Sequence, residues 1–270
     1  MKLKSVTRAA MMVICVASTQ HALADVDGLN RQAERAVPET KATVGAQDIE
    51  TASSLRDRGM LYWNMGRYDE ALPLFQQELA IQIKTLGPVN NVVAWSLHHL
   101  GMLYQDMGRY DEALQQFQRA LAVREEILGP DYEANAKKTM DPNILGDLGM
   151  MIMSMYDLAG LYKDMGRYNE ALQLMQRVRA IYENVLGPDN VFFANSLSYL
   201  AKLYQNAGRY DEALPLLQRA QAIYENVVEP DSVFLVDRLS YLAKVYQDMG
   251  RYDEALPLVQ RAQAIKEKAR

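Results

Sequence analysis

Few residues of this 270-residue chain are equipped for chemistry. His98 and His99 are adjacent, and on a helix neighbours at i and i+1 point in different directions, so they cannot chelate one metal. Three histidines and one cysteine, Cys15, leave no C-x-x-C or H-E-x-x-H ligand set. Ser198 with Lys202, and Ser240 with Lys244, stand at i, i+4, where a lysine could activate a serine. No glycine-flanked serine turn or phosphate-cradling loop accompanies them, so nothing supplies an oxyanion hole. Asp69-Glu70 and its later copies read as helix starts rather than paired catalytic acids. No catalytic residue, metal ligand or cofactor is expected.

Composition points elsewhere. Hydrophobic residues make up 49% and charged residues 23%, as in an ordinary folded chain. A net charge of −5 argues against nucleic acid, which requires clustered positive charge. Tyrosine (16) and methionine (15) far outnumber phenylalanine (5) and tryptophan (2), so these two types must have a job. At the start, Lys2, Lys4 and Arg8 precede a short apolar run, Ala9 to Ala17, and then Ala22-Leu23-Ala24. A basic start, an apolar stretch too short for a bilayer and an A-x-A site read as a signal peptide, residues 1–24. Cys15 lies in that run behind Ile14, which is not the small residue a lipoprotein site needs. The expected product is exported, to a bacterial periplasm or the exterior. It has no cysteine and no stable membrane insertion.

The string G-R-Y-[DN]-E-A begins at Gly66, Gly108, Gly166, Gly208 and Gly250, at spacings of 42, 58, 42 and 42. The 58 is one period plus 16 residues, an insertion into a repeat array. L-G-P recurs at Leu86, Leu128 and Leu186, with Val228-Glu229-Pro230 in the fourth place. Each unit reads as two helices. In the fourth, Leu197, Leu200, Ala201 and Tyr204 follow the i, i+3, i+4, i+7 stripe of an amphipathic helix. Gly208 closes it. Asp211 and Glu212 open the second helix at the positive end of its dipole, and Pro215 falls near the end of its first turn. Small residues recur where helix axes must approach: Gly59, Gly101, Ala159, Ala201 and Ala243 in first helices, and Ala71, Ala113, Ala171, Ala213 and Ala255 in second helices. Ten of the 16 tyrosines fall at two fixed register positions and read as scaffold.

The motif L-x-x-L-[GA]-x-L-Y-x-x-x-G-R-Y-x-E-A-L, as from Leu97 to Leu114, resembles the tetratricopeptide repeat (TPR). With the L-G-P turn it resembles the 42-residue variety found in kinesin light chains. The resemblance implies an all-α fold, a right-handed superhelical α-solenoid of stacked helix-turn-helix repeats, each stabilised by its neighbours. The expected units are a cap or linker at 25–53, TPR 1 at 54–95, TPR 2 at 96–137, a Met-rich insertion at 138–153, TPR 3 at 154–195, TPR 4 at 196–237 and TPR 5 at 238–270. Residues 27–43 read as a degenerate second helix acting as a cap. The insertion reads as a partly duplicated helix that lengthens or precedes the first helix of TPR 3. Its Met150, Met151, Met153 and Met155 either fill an irregular gap, the favoured reading, or form a plastic apolar surface.

The resemblance also implies a peptide-binding groove lined by first helices, at sites three before and one, four and five after the small residue. The first site holds Arg56, His98 and Tyr156, then Ser198 and Ser240. The second holds Met60, Met102, Gly160, Lys202 and Lys244. The third holds Trp63, Gln105, Lys163, Gln205 and Gln247, and the fourth begins with Asn64. Trp95 falls six before its small residue. Trp63 and Trp95 either line the groove or pack beneath the cap. Met60 and Met102 beside them suit adaptable apolar contact. Lys163, Lys202 and Lys244 form either a stripe for acidic groups or a solvated face. Some TPR proteins clamp a terminal carboxylate with Lys and Asn; repeats four and five lack those asparagines, so that clamp is not expected. The function expected is a non-enzymatic scaffold that binds a peptide or helix of a partner protein. The alternative is a self-associating assembly protein of the cell envelope.

Overall fold

The computed structural model describes residues 46–230 and 232–269, so the expected signal peptide and the cap at 27–43 lie outside the described residues. Every regular element among the described residues is a helix. In chain order they are α1 (Ala46–Asn64) paired with α2 (Tyr68–Leu86), α3 (Asn91–Asp106) with α4 (Tyr110–Leu128), a short extra helix α5 (Tyr132–Thr139), α6 (Pro142–Asp164) with α7 (Tyr168–Leu186), α8 (Val191–Asn206) with α9 (Tyr210–Val227), and α10 (Phe234–Asp248) with α11 (Tyr252–Lys268). The pairs are the five repeats of an all-α, right-handed superhelical solenoid. Each first helix packs on its own second helix and on the second helix of the repeat before it. The core is therefore a strip along the array rather than a single centre.

The G-R-Y-x-E string is a helix-to-helix corner in which each letter has a physical task. Gly66, Gly108, Gly166, Gly208 and Gly250 all sit near φ +72 to +73, the left-handed conformation that glycine adopts without strain. That turn lets the next residue, an arginine, donate its backbone N–H to a tyrosine carbonyl five positions back, as in Arg209 to Tyr204 at 2.8 Å. The arginine side chain then folds over the same tyrosine ring, 4.5 to 4.9 Å from its centroid in all five repeats. Its guanidinium pairs with the glutamate three residues on, in the first turn of the second helix. Pro73, Pro215 and Pro257 are each the sixth residue of a second helix and so lie in its second turn rather than its first.

The small residues match what faces them. Repeats one and two place Phe75 and Phe117, both fully buried, against Gly59 and Gly101. Repeats three to five carry Met175, Leu217 and Val259 at that second-helix site and have Ala159, Ala201 and Ala243 opposite. A smaller partner leaves room for a methyl group.

The insertion begins earlier than the sequence suggested. After Pro130 the chain forms α5, whose Tyr132 and Ala136 are buried, and α5 packs on α7. Met140 turns the chain through a left-handed residue (φ 48). Asp141 then caps α6 by accepting from the Asn143 N–H at 2.8 Å, with Pro142 at the first helical position. The helix α6 has 23 residues against 16 for α3 and α8, so the insertion supplies α5 and lengthens the first helix of repeat three. By length and composition α6 could cross a membrane. Here its apolar residues are packing groups: Leu148, Met151, Ile152 and Met155 are buried, and Met150 and Met153 are half-buried.

Candidate functional site

The first helices carry the face that the TPR resemblance makes the inner one, and side chains join them from repeat to repeat. Trp63 Nε1 donates to Asp106 at 2.7 Å, Gln105 to Asp164 at 3.0 Å, and Gln205 to Asp248 at 3.0 Å. In each case the residue four after one small residue reaches the residue five after the next. A second ladder runs from second helices to the scaffold tyrosines: Gln76 to Tyr104, Gln118 to Tyr162, Gln176 to Tyr204 and Gln218 to Tyr246, at 2.7 to 3.3 Å. A third joins second helices through Arg177–Glu125, Arg219–Glu183 and Arg261–Glu225.

These ladders change the role of several expected groove residues. Trp63, Gln105 and Gln205 are engaged with the neighbouring repeat, and Trp63 also packs edge-on against Phe75 at 5.9 Å. Lys163 pairs with its own Asp164 at 3.0 Å. Arg56 donates to Ser53 at 3.0 Å and lies 3.5 Å from Asp57. Asn64 and Gln247 are exposed, and Met60 is half-buried.

His98 is not a groove contact. It is 4% exposed, because Phe117 lies 5.5 Å away and Trp95 covers it edge-on at 5.6 Å. It belongs to a buried polar seam between repeats two and three. Arg124, 1% exposed, lies 5.2 Å from the Trp95 ring centre and donates to Ser154 Oγ. His98 Nδ1 stands 3.7 Å from Asp157 Oδ2. Burial holds His98 down to about 3, with Arg124 and His99 pushing the same way, so it is neutral. Burial lifts Asp157 to about 6, opposed by Arg124, and lowers Arg124 to about 10. The seam continues into repeat one, where Glu78 is fully buried, accepts from Ser96 at 2.9 Å and Gln82 at 2.8 Å, and is raised by burial.

Beside Asn64 and Gln247, two groups stay open on the inner face. Trp95 (36% exposed) and Met102 (38%) form an apolar patch on repeat two. Lys202 and Lys244 are exposed on repeats four and five and make no ion pair among the described residues. Between these ends, Tyr156 is half-buried and meets Tyr199 edge-on at 5.1 Å. No group of three or more metal-ligating side chains occurs among the described residues. The arrangement offers contact surface.

Residues 50–126, 92–137, 151–226 and 192–268 match the profile of the tetratricopeptide repeat. The chain belongs to the tetratricopeptide repeat family. It is similar to the nearly identical TPR-like repeats of a Podosopora anserina kinesin light chain, at 26% identity and TM-score 0.66, over 84% of this chain and 99% of that one. BtubC (BKLC) from P. vanneervenii shares the fold at 19% identity and TM-score 0.62, over 90% and 87% of the two chains. MamA does so at 18% identity and TM-score 0.50, over 78% and 95%. No curated protein matches the chain.

The buried members of the TPR seam escaped sequence reasoning, although each breaks the period. Arg124 stands where other repeats have Gln82, Tyr182, Tyr224 and Lys266. Glu78 stands where they have Ala120, Val178 and Ala220. At the Glu78 position, a charge among otherwise uncharged counterparts was the available signal.

Proposed function

We propose that the chain is an exported, non-enzymatic TPR scaffold whose inner face binds a peptide or helical segment of another protein. The observation that carries the reading is the contrast along that face. Trp63, Gln105 and Gln205 are tied into an inter-repeat ladder, while Trp95, Met102, Lys202 and Lys244 are left exposed. A preordered array binds with little ordering cost, and an aromatic anchor with adjacent methionine suits an apolar side chain. The two lysines suit acidic groups further along. Export rests on Lys2, Lys4, Arg8, the apolar run and the A-x-A site. The test is capture of partners from a cell-envelope extract by the wild type and by Trp95→Ala and Lys202→Ala variants. Loss of the same partners from both variants supports the groove, and unchanged recovery refutes it. Protease protection in intact and osmotically opened cells tests export.

Self-association is a second reading, favoured by repeat five. Leu256 and Val259 are 56% and 39% exposed, whereas their counterparts Leu214 and Leu217 are 7% and 5% exposed. Light scattering across a concentration series separates the two readings, because a monomer at every concentration removes this one.

A further inference from the structure

Between repeats four and five the inner face opens into a cavity of about 280 Å³. That is near the lower bound for small-molecule pockets and suits a single side chain. The repeat period allows this place to be compared with the other junctions. The site three before the small residue holds Arg56, His98 and Tyr156 in repeats one to three, but Ser198 in repeat four. The second-helix site beneath it holds Phe75, Phe117 and Met175, but Leu217 in repeat four. The fourth junction is open where Ser198 stands in place of the longer Arg56, His98 and Tyr156. Repeat three shows what fills such a place well. Tyr156 packs edge-on against Tyr199, with centroids 5.1 Å apart and planes at 79°. The counterpart of Tyr199 is Tyr241, which lines the cavity wall opposite Ser198 rather than opposite a ring.

Two buried polar atoms among the lining residues narrow the chemistry. Gln221 is 8% exposed; its Nε2 donates to Glu225 at 2.9 Å, and its Oε1 finds no protein donor. Arg238 replaces a serine that is buried in repeats two to four (Ser96, Ser154 and Ser196). Its guanidinium lies over Tyr224 at 3.8 Å, and its Nε–H is buried without a protein acceptor. One unused acceptor and one unused donor match a group that both donates and accepts. A phenol hydroxyl does both, an indole N–H only donates, and a phenyl ring does neither. A carboxylate cannot donate to Gln221 and would face Asp237 on the rim.

We propose that this cavity is an anchor pocket for a tyrosine side chain of the partner segment, occupying the place that Tyr156 fills one repeat earlier. The proposal deepens the groove reading and rests on it for the partner, but the pocket can be tested alone. The probe is p-cresol, the tyrosine side-chain analogue, titrated into the full chain with toluene as control. Methyl NMR signals of Leu217, Ala220 and Leu242 report occupancy. We expect p-cresol to shift these signals and to bind about tenfold more tightly than toluene, the worth of one buried hydrogen bond. Gln221→Leu should erase that preference while keeping the apolar binding. Ser198→Tyr should fill the pocket from within, abolish the p-cresol shifts and raise the thermal midpoint. Absence of shifts, equal binding of both probes to the wild type, or undiminished p-cresol binding to Ser198→Tyr would each overturn the assignment. The groove reading fails separately. If p-cresol binds as expected but Trp95→Ala and Lys202→Ala leave partner capture unchanged, the groove is wrong and the pocket stands.

Discussion

The pairing of Gly101 with Phe117 makes the sharpest prediction about what holds a repeat together. A Cβ added at residue 101 would sit 2.8 Å from two ring carbons of Phe117. Phe117 is fully buried, so the ring cannot swing out to relieve the contact. Overpacking of this kind costs about 1–3 kcal/mol, while alanine gains about 1 kcal/mol over glycine inside a helix. Gly101→Ala should therefore lose up to about 2 kcal/mol net. At Gly59 the same methyl would meet the Phe75 ring at 3.2 to 3.3 Å. A shift of a few tenths of an ångström relieves that, so Gly59→Ala should lie within about 0.5 kcal/mol of wild type. Gly101→Ala combined with Phe117→Leu reproduces the pairing of repeat four, Ala201 with Leu217. The two changes should couple favourably by about 1–2 kcal/mol. Urea titrations followed by circular dichroism would measure this, with whole curves compared because a repeat array need not unfold in one step. A Gly101→Ala protein as stable as wild type, with no coupling in the double variant, would refute the steric account.

Three further outcomes follow from the same structure. Gly208 sits at φ +73, so Gly208→Ala should lose about 1–2 kcal/mol. Gly146, inside α6 with nothing near its missing Cβ, should gain up to about 1 kcal/mol as alanine; thermal midpoints moving in the same direction would refute one of the two accounts. His98 is held at about 3 against 6.5, so its contribution is complete above pH 6.5 and falls by about 1.4 kcal/mol per unit below that. Asp157, raised from 3.8 to about 6, has the opposite sign: it favours the fold at low pH and loses that as pH rises through 6. His98→Phe removes the first effect, and stability at pH 4.5 relative to pH 8 should improve over wild type by about 2–3 kcal/mol; identical pH responses would mean that His98 is not held neutral. Partner binding through Lys202 and Lys244 should weaken as salt rises, and this dependence should shrink when both are alanine; an unchanged salt response would remove the lysines from the interface.

The helix pairs were legible because one sequence pattern repeats in phase, and a period survives substitutions that would blur any single motif. The corner string was legible too, since a glycine forced into the left-handed region and a neighbouring acidic pair read directly as a stop and a start. The inner-face residues were harder. Register along one helix tells which side a residue occupies, but not what the next repeat places opposite it. Trp63 and Gln105 are on the expected face, yet each meets an aspartate 43 or 59 residues away. His98 has groove register as well, but the bulk of Phe117 and Trp95 closes over it. Repeat edges drifted for a related reason. The units were phased on the leucine stripe, while Asn90 and Asn190 cap the first helices several residues upstream, each accepting from a backbone N–H at 2.8 Å.

The ladders also show how one array can be stiffened by different means along its length. At the junctions flanking repeat two, and between repeats four and five, inner-face hydrogen bonds tie consecutive first helices. Between repeats three and four that rung is missing among the described residues: Lys163 turns to Asp164, and Asn206 stands where Asp106, Asp164 and Asp248 stand elsewhere. The other two ladders are at their longest there, 3.3 Å for Gln176 to Tyr204 and 3.7 Å for Arg219 to Glu183. Ring packing takes over at this junction. Tyr156 meets Tyr199 edge-on, and Tyr182 stacks on Phe192 at 5.7 Å. Hydrogen bonds fix register by direction, whereas ring contacts fix it by shape and are insensitive to salt and pH. The apolar half of the inner face and its cationic half meet at this aromatic junction. A partner that spans both halves therefore lies across a junction where, among the described residues, ring packing stands in place of the inner-face hydrogen bond and only the two longer ladder contacts accompany it.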